Sequence, residues 1–160
     1  MLFLFILDLG EIFNQFLNSV NEGLSMIVTC SSRVKVSTSY EDIIKTLNQE
    51  LILSALSAKV INHRENKYLI EISVPGESKV RKLRLIAISK KFNNGITVTC
   101  SDEATDILGI EISIIVHKLD NETSVEVEGL FNTLVMKESP RLLKVFSESI
   151  IKKIVEKLKI

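Results

Sequence analysis

The last stretch of the chain has the strongest helical spacing of apolar residues. From Ser139 onward, apolar positions recur every three or four residues and charged positions lie between them, which is typical of an amphipathic helix. The apolar positions are Leu142, Leu143, Phe146, Ile150, Ile151, Ile154, Val155 and Leu158. Ser139 suits the N-cap and Pro140 the first helical position. The pattern therefore predicts a helix over 139–160, and at 1.5 Å per residue it would span about 30 Å.

Most of the chain before that helix alternates between apolar and polar residues, which is the pattern of β-strands. Seven strands are predicted, over residues 27–36, 58–62, 67–74, 79–89, 96–102, 109–119 and 123–131. Ser39 and Asp42 form a capping-box pattern after the first strand, and they predict the first of two short helices. Short turns, such as Asn94-Gly95, join the later strands and indicate an antiparallel sheet. The apolar face of that sheet needs a cover, which the C-terminal helix can supply.

Residues 1–25 follow a different pattern, and we interpret them as an extension of a domain over 26–160. The first seven residues are apolar, which suggests a signal peptide or a membrane anchor. Against this interpretation, no positive charge precedes them and the apolar run stops at Asp8. That run is far shorter than the roughly 20 residues that span a bilayer. The spacing predicts an amphipathic helix over 3–20. Two alternatives stay open: translation starts at Met26, or the segment contacts a membrane surface, although it lacks the expected Lys and Arg.

Length and composition are those of one folded domain. The 160 residues are 46% hydrophobic and 25% charged, so we expect a sizeable core and no extensive disorder. Lys+Arg and Asp+Glu are equal at 20 each, which argues against a dedicated nucleic-acid-binding protein. Cys30 and Cys100 lie far apart without a C-x-x-C motif. We expect two reduced thiols in a cytoplasmic protein, and neither a disulfide framework nor a metal site.

The residues that commonly carry catalysis form no recognisable constellation. His63 falls in a predicted turn and His117 near the end of a strand, and no nucleophile-elbow, P-loop or zinc-protease motif is present. Glu71 and Glu111 fall within strands, where a buried carboxylate would have a raised pKa, although alternation also suits a solvent-facing side chain. We predict no catalytic residues.

A basic cluster at the start of the fourth strand is the polar feature that points most directly to a ligand. It consists of Lys79, Arg81, Lys82 and Arg84. One interpretation is a solvated strand end, and the other is a cationic rim that pairs with phosphate or carboxylate at a cavity mouth. Lys137 and Arg141 flank the start of the final helix, where the helix dipole also favours anions. The predicted ligand-binding residues are Leu143, Phe146, Ile150 and Ile154 as an apolar wall, and Arg81, Lys82, Arg84, Lys137 and Arg141 as the rim.

The order of these elements resembles the START-like (SRPBCC) superfamily, whose helix-grip fold is shared with the birch-pollen-allergen family. Val34–Ile44 (VKVSTSYEDII) resembles the opening strand, turn and first helix of that fold. Ser124–Phe131 (SVEVEGLF), followed by a linker and a long helix, resembles the carbon monoxide dehydrogenase G branch of the superfamily. The resemblance covers residues 27–160.

The resemblance implies an α+β helix-grip fold: a curved seven-stranded antiparallel sheet wrapped around a long C-terminal helix, with two short helices after the first strand. To this the chain adds the predicted N-terminal helix. Members of the superfamily hold hydrophobic or amphipathic small molecules, so we expect non-catalytic binding of a lipid-like or acyl-coenzyme A-like molecule between sheet and helix. The alternatives are an assembly factor for a larger enzyme, of the carbon monoxide dehydrogenase G type, and a hydrolase or cyclase.

We expect no obligatory cofactor, and a coenzyme A thioester is one candidate ligand. We expect no nucleic-acid partner and no stable membrane insertion. A homodimer stays open as a hypothesis.

Overall fold

One seven-stranded antiparallel sheet forms the framework of the protein. The computed structural model describes residues 26–76 and 78–159. The strands lie in the order β1-β7-β6-β5-β4-β3-β2, so the first strand pairs with the last. They are β1 (Ile27–Val36), β2 (Lys59–Arg64), β3 (Lys67–Pro75), β4 (Val80–Phe92), β5 (Gly95–Asp102), β6 (Leu108–Leu119) and β7 (Glu122–Asn132).

Four helices accompany the sheet within the described residues. They are α1 (Tyr40–Thr46), α2 (Gln49–Ala55), α3 (Thr133–Met136) and α4 (Pro140–Leu158). Each N-cap side chain accepts a backbone N–H of the first turn: the Ser139 hydroxyl accepts from Leu142 at 3.3 Å, and the Ser39 hydroxyl from Asp42 at 3.2 Å. Among the described residues, no helix combines the length and the hydropathy that a membrane span requires.

The sheet has one buried face because its strands alternate with a period of two. In β3, Ile70, Ile72 and Val74 are buried, whereas Glu71 and Ser73 point the other way. The same alternation runs through β5, β6 and β7. We call the buried face the concave face and the opposite one the convex face. The core lies between the concave face, α1, α2 and the apolar side of α4.

The predicted fold class is confirmed: the sheet is curved and antiparallel, short helices follow the first strand, and a long helix follows the last. The predicted first strand has the observed bounds, Ile27–Val36. The predicted N-terminal helix over 3–20 lies outside the described residues, and the proposed division at 25/26 stays a prediction.

Several details differ from the sequence-based expectations. Strand β4 runs from Val80 to Phe92, whereas residues 79–89 were predicted. The second strand begins at Lys59 and continues to Arg64, with an irregularity in its pairing between Val60 and Asn62. This strand lies at the sheet edge and all six of its residues are exposed, so its apolar pattern was weak. Helix α3 was expected to be linker. Its four residues are too few to show a helical period.

Candidate functional site

The space between the concave face and α4 is where a ligand would bind in the predicted function. The concave face is built from apolar side chains of β3 to β7 that are 0–3% exposed. They are Ile70, Ile72, Val74, Leu85, Ala87, Ile96, Val98, Cys100, Ile110, Ile112, Ile114, Val116, Val125, Val127 and Phe131. Exposure this low means that these side chains pack against other protein atoms. A molecule that enters here must therefore displace side chains or move α4.

The predicted apolar wall of α4 faces this interior. Leu143, Ile150 and Ile154 are buried, and Phe146 is half-buried against the core. The rings of Phe146 and Phe131 meet edge to face, with centroids 6.1 Å apart and planes at 81°. The structure thus places all four predicted wall residues on the side of the helix that packs on the core.

The absence of a Cβ at Gly129 lets the core approach β7 closely. A Cβ at this position would lie 2.7 Å from a ring carbon of Phe131 and 3.2 Å from Cδ1 of Ile151. Both distances are tighter than ordinary van der Waals contact. Glycine therefore allows the phenyl ring of Phe131 and the helix residue Ile151 to pack together over β7.

Cys100 is the ionisable residue in the middle of the concave face. Burial raises the pKa of its thiol to about 12. The thiol therefore stays neutral throughout the physiological pH range, and a neutral thiol is a poor nucleophile. Burial also raises the pKa of Cys30 on β1, with a smaller opposing effect from the charge of Lys144. Both cysteines are free thiols; Cys100 is buried and Cys30 is half-buried.

Arg81 differs from the other predicted rim cations because it lies on the same face of β4 as Leu83 and Leu85. Its Nη2 donates to the backbone carbonyls of Met136 and Lys137. The same nitrogen lies 3.4 Å from Oε2 of Glu138. Arg81 therefore already holds the end of α3 and the start of the link to α4.

Lys82 and Arg84 lie on the convex face, on the other side of the sheet from α4. Alternation along β4 puts them there, one residue out of step with Arg81. Nζ of Lys82 lies 4.0 Å from Oε1 of Glu71, and Nε of Arg84 lies 3.4 Å from Oε1 of Glu103. The structure does not bring these two cations together with the apolar wall.

Lys137 and Arg141 are exposed at the start of the α3–α4 link and in the first turn of α4. Lys137 has a left-handed backbone, with φ of 53°, and serves as the C-cap of α3. Its charge contributes a small part to the lowered pKa of Asp102, which is due mainly to hydrogen bonds from Thr105. Lys137 is therefore close to the loop after β5, at one end of the interior.

The remaining candidate residues lie away from the concave centre. His117 lies on the convex side of β6, and its Nε2 is 3.1 Å from Oε1 of Glu126. His63 stacks on Tyr68 at the β2 edge, with ring centroids 4.6 Å apart. Burial raises the pKa of Glu111, which lies on the convex side of β6. No group of three metal-ligating side chains forms among the described residues.

Sequence reasoning missed the role of α3 in closing the interior. Val135 and Met136 are buried, and a Cβ on Gly109 of β6 would lie 2.7 Å from Cγ1 of Val135. The signal was the apolar run Leu134-Val-Met within an otherwise polar link. Such a run is typical of a segment that packs on a core.

No protein-family model and no curated protein sequence matches the chain. Similarity is found instead among solved structures. A conserved protein from Geobacillus kaustophilus is 11% identical, with a TM-score of 0.58 over 82% of this chain and 93% of its own. The protein TTHA0849 from Thermus thermophilus is 13% identical, with a TM-score of 0.52 over 82% and 96%.

A third similar structure is the ZhuI aromatase/cyclase from Streptomyces sp. R1128. It is 10% identical, with a TM-score of 0.52 over 82% of this chain and 93% of its own. At such identities the likeness concerns the fold. Membership of the carbon monoxide dehydrogenase G branch stays a prediction. The chain therefore shares the fold of these three proteins, in which a curved antiparallel sheet packs on a long C-terminal helix.

Proposed function

We propose that this protein binds a hydrophobic or amphipathic small molecule between the concave face and α4, without catalysing a reaction. The observation that carries the proposal is the chemistry of the concave face from β3 to β7, whose buried positions hold aliphatic side chains, Phe131 and a neutral thiol. Such a surface rewards apolar contact at about 25 cal/mol per Å² and offers little to a polar molecule. A solved structure of the same fold is that of an aromatase/cyclase, an enzyme, so it supports the binding of a small molecule at the level of fold but not the absence of catalysis.

The proposal is tested by native mass spectrometry of freshly purified protein, before and after denaturation. We expect a stoichiometric adduct that leaves on unfolding. The Ala87→Leu variant adds volume to the concave face of β4, so we expect binding about tenfold weaker or worse. Ser101→Leu on the convex side of the neighbouring β5 is the matched control, and its adduct should persist. Equal adducts in the two folded variants would contradict a site at the concave face.

A coenzyme A thioester is the amphipathic ligand that we propose first. Its acyl chain suits the apolar interior, and its phosphates suit Lys137 and Arg141, which are exposed near the α3–α4 link. Lys82 and Arg84 lie on the other side of the sheet, so we propose a rim that consists of Lys137 and Arg141.

The rim is tested with a Lys137→Asn/Arg141→Gln variant, since asparagine tolerates the left-handed backbone of residue 137. We expect palmitoyl-coenzyme A to bind about tenfold more weakly, because two charged contacts are lost, whereas palmitate binding changes little. Calorimetric titration measures both. Lys152→Gln/Lys153→Gln, farther along α4, removes the same charge and should leave both affinities unchanged. If both variants bind palmitoyl-coenzyme A more weakly, the loss of affinity is a general charge effect, and Lys137 and Arg141 do not form a specific rim.

The closely packed interior also favours a second candidate, an accessory protein of the carbon monoxide dehydrogenase G type that binds another protein. Three apolar side chains are exposed near α3, namely Ile107, Leu108 and Leu134. Under this alternative, native mass spectrometry shows a clean apo mass, and a surface of this kind contacts the partner. A stoichiometric small-molecule adduct would count against it.

A further inference from the structure

Access to the interior is a separate question from binding there, because the side chains of the concave face are already closely packed. Helix α3 lies over one end of this interior. Its Val135 and Met136 side chains are buried, and Val135 contacts Gly109 of β6. A ligand that enters at this end must move α3 aside. What holds α3 in place therefore determines how fast a ligand enters.

The N-terminal end of α3 is fixed by several bonds. The hydroxyl of Thr133 donates to the carbonyl of Met26 at 2.8 Å, and the backbone N–H of Thr133 donates to the same carbonyl at 2.9 Å. The amide nitrogen of Asn132 donates to the carbonyl of Leu108 at 3.0 Å. This end is thus anchored to Met26, just before β1, and to the first residue of β6, and it can act as a pivot.

The C-terminal end of α3 is held to the sheet by the Arg81 side chain, which reaches across from β4. The carbonyls of Met136 and Lys137 both accept from Nη2 of this residue. Glu138 also contacts this guanidinium: its Oε2 lies 3.4 Å from Nη2 of Arg81. Its Oε1 accepts from the backbone N–H of Ser139 at 3.1 Å.

This contact is sheltered but not sealed from water. The side chains of Arg81 and Glu138 are 24% and 10% exposed. Charge-assisted hydrogen bonds are strong in such surroundings, so the closed position is favoured. Part of the Arg81 side chain remains in contact with solvent, so its guanidinium can exchange its protein partners for water.

We infer that Arg81 is a latch: its bonds to the end of α3 hold this helix closed over the interior, and their release opens the path by which an apolar molecule enters. The left-handed residue Lys137 separates α3 from α4, so α3 can swing while most of α4 stays packed. The inference rests on the proposed function, since it concerns access to the same interior. It adds a control of binding rate that is independent of affinity.

The experiment compares Arg81→Gln with Arg84→Gln, which removes the same charge from the convex side of the same strand. The probe is N-phenyl-1-naphthylamine, an uncharged dye, so loss of a cation cannot act through attraction of the ligand. By stopped-flow fluorescence, we expect the association and dissociation rate constants of Arg81→Gln both to rise about tenfold. The dissociation constant should change little, because the binding surface is unchanged.

Hydrogen exchange followed by mass spectrometry supplies a readout without any ligand. In Arg81→Gln, amides of residues 133–146 should exchange faster than in Arg84→Gln, whereas amides of β5 and β6 should be unchanged. Arg81→Lys keeps the charge but lacks the Nη2 group that donates to both carbonyls, so it should have a smaller effect in the same direction. This variant also serves if Arg81→Gln does not fold.

The two proposals fail in different ways. If the dye binds but Arg81→Gln and Arg84→Gln have equal rates and equal exchange, the latch is wrong and the binding function stands. If no variant binds the dye saturably while residues 133–146 exchange faster in Arg81→Gln, the closure by Arg81 stands and the proposed function loses its support. If the dissociation constant of the dye changes in Arg81→Gln while amide hydrogen exchange does not, Arg81 contacts the ligand and is not a latch.

Discussion

At the scale of single residues, Cys100 shows how burial alone sets chemistry. Burial raises the pKa of its thiol from 9.0 to about 12, so the folded protein keeps the proton over a range in which the unfolded chain releases it. The unfolded state therefore binds fewer protons between these two values. The stability that this thiol contributes is complete below pH 9 and is lost as pH rises toward 12.

We predict that the free energy of unfolding falls by up to about 1.4 kcal/mol per pH unit above pH 9 because of Cys100. Chemical unfolding at about pH 8, 9, 10 and 10.5 measures the slope. Cys100→Ala should be less stable at about pH 8 because it leaves a small cavity, and its slope at higher pH should be shallower. Cys30→Ala is the control, since Cys30 is less buried. Equal slopes in all three proteins would refute this role of Cys100.

Arg81 is a residue whose hydrogen-bond partners cannot be predicted from the sequence. Its place among the cations of β4 was evident, and strand alternation separated it from Lys82 and Arg84. Its partners were not predictable, because two of them are backbone carbonyls 55 and 56 positions away. A carbonyl carries no sequence signature, so only the tertiary structure reveals what this guanidinium binds.

At the scale of elements, the long helix α4 was the most predictable part of the chain. Its cap, its first-turn proline and its apolar spacing all agreed, and the structure begins the helix at Pro140 with Ser139 as N-cap. The short helix α3 was missed because four residues do not complete a period. The irregular edge strand β2 was placed one residue too early at its start for a similar reason: exposed residues carry little pattern.

We predict that Ser139→Ala lowers the free energy of unfolding by about 1 kcal/mol, because the backbone N–H of Leu142 loses its acceptor. Ser149→Ala, at an exposed position within the same helix, is the matched control. Alanine is the better helix former there, so that change should be neutral or slightly stabilising. Urea unfolding followed by circular dichroism compares the two. A loss in Ser149→Ala as large as in Ser139→Ala would argue against the cap.

At the scale of the whole molecule, the order of strands was partly predictable. Short turns imply that β2 to β7 pair as neighbours, and the structure confirms this. The pairing of β1 with β7 has no local cause, so the sequence pattern did not predict it. The apolar composition of the interior was also predictable, since core and ligand pocket demand the same residue types. How closely the interior is packed was not, because packing depends on side chains from every layer at once.

The pairing of the first strand with the last has a consequence for synthesis of the chain. Met26, just before β1, bonds to Thr133, just after β7, which lies 107 positions later. At the usual rate of about 5–20 residues per second, a ribosome needs several seconds to make that interval. During those seconds β1 has been made but its neighbour in the sheet has not. The newborn strand, with Val28, Val34 and Val36 on its inner side, must be shielded by chaperones or by transient contacts until β7 emerges.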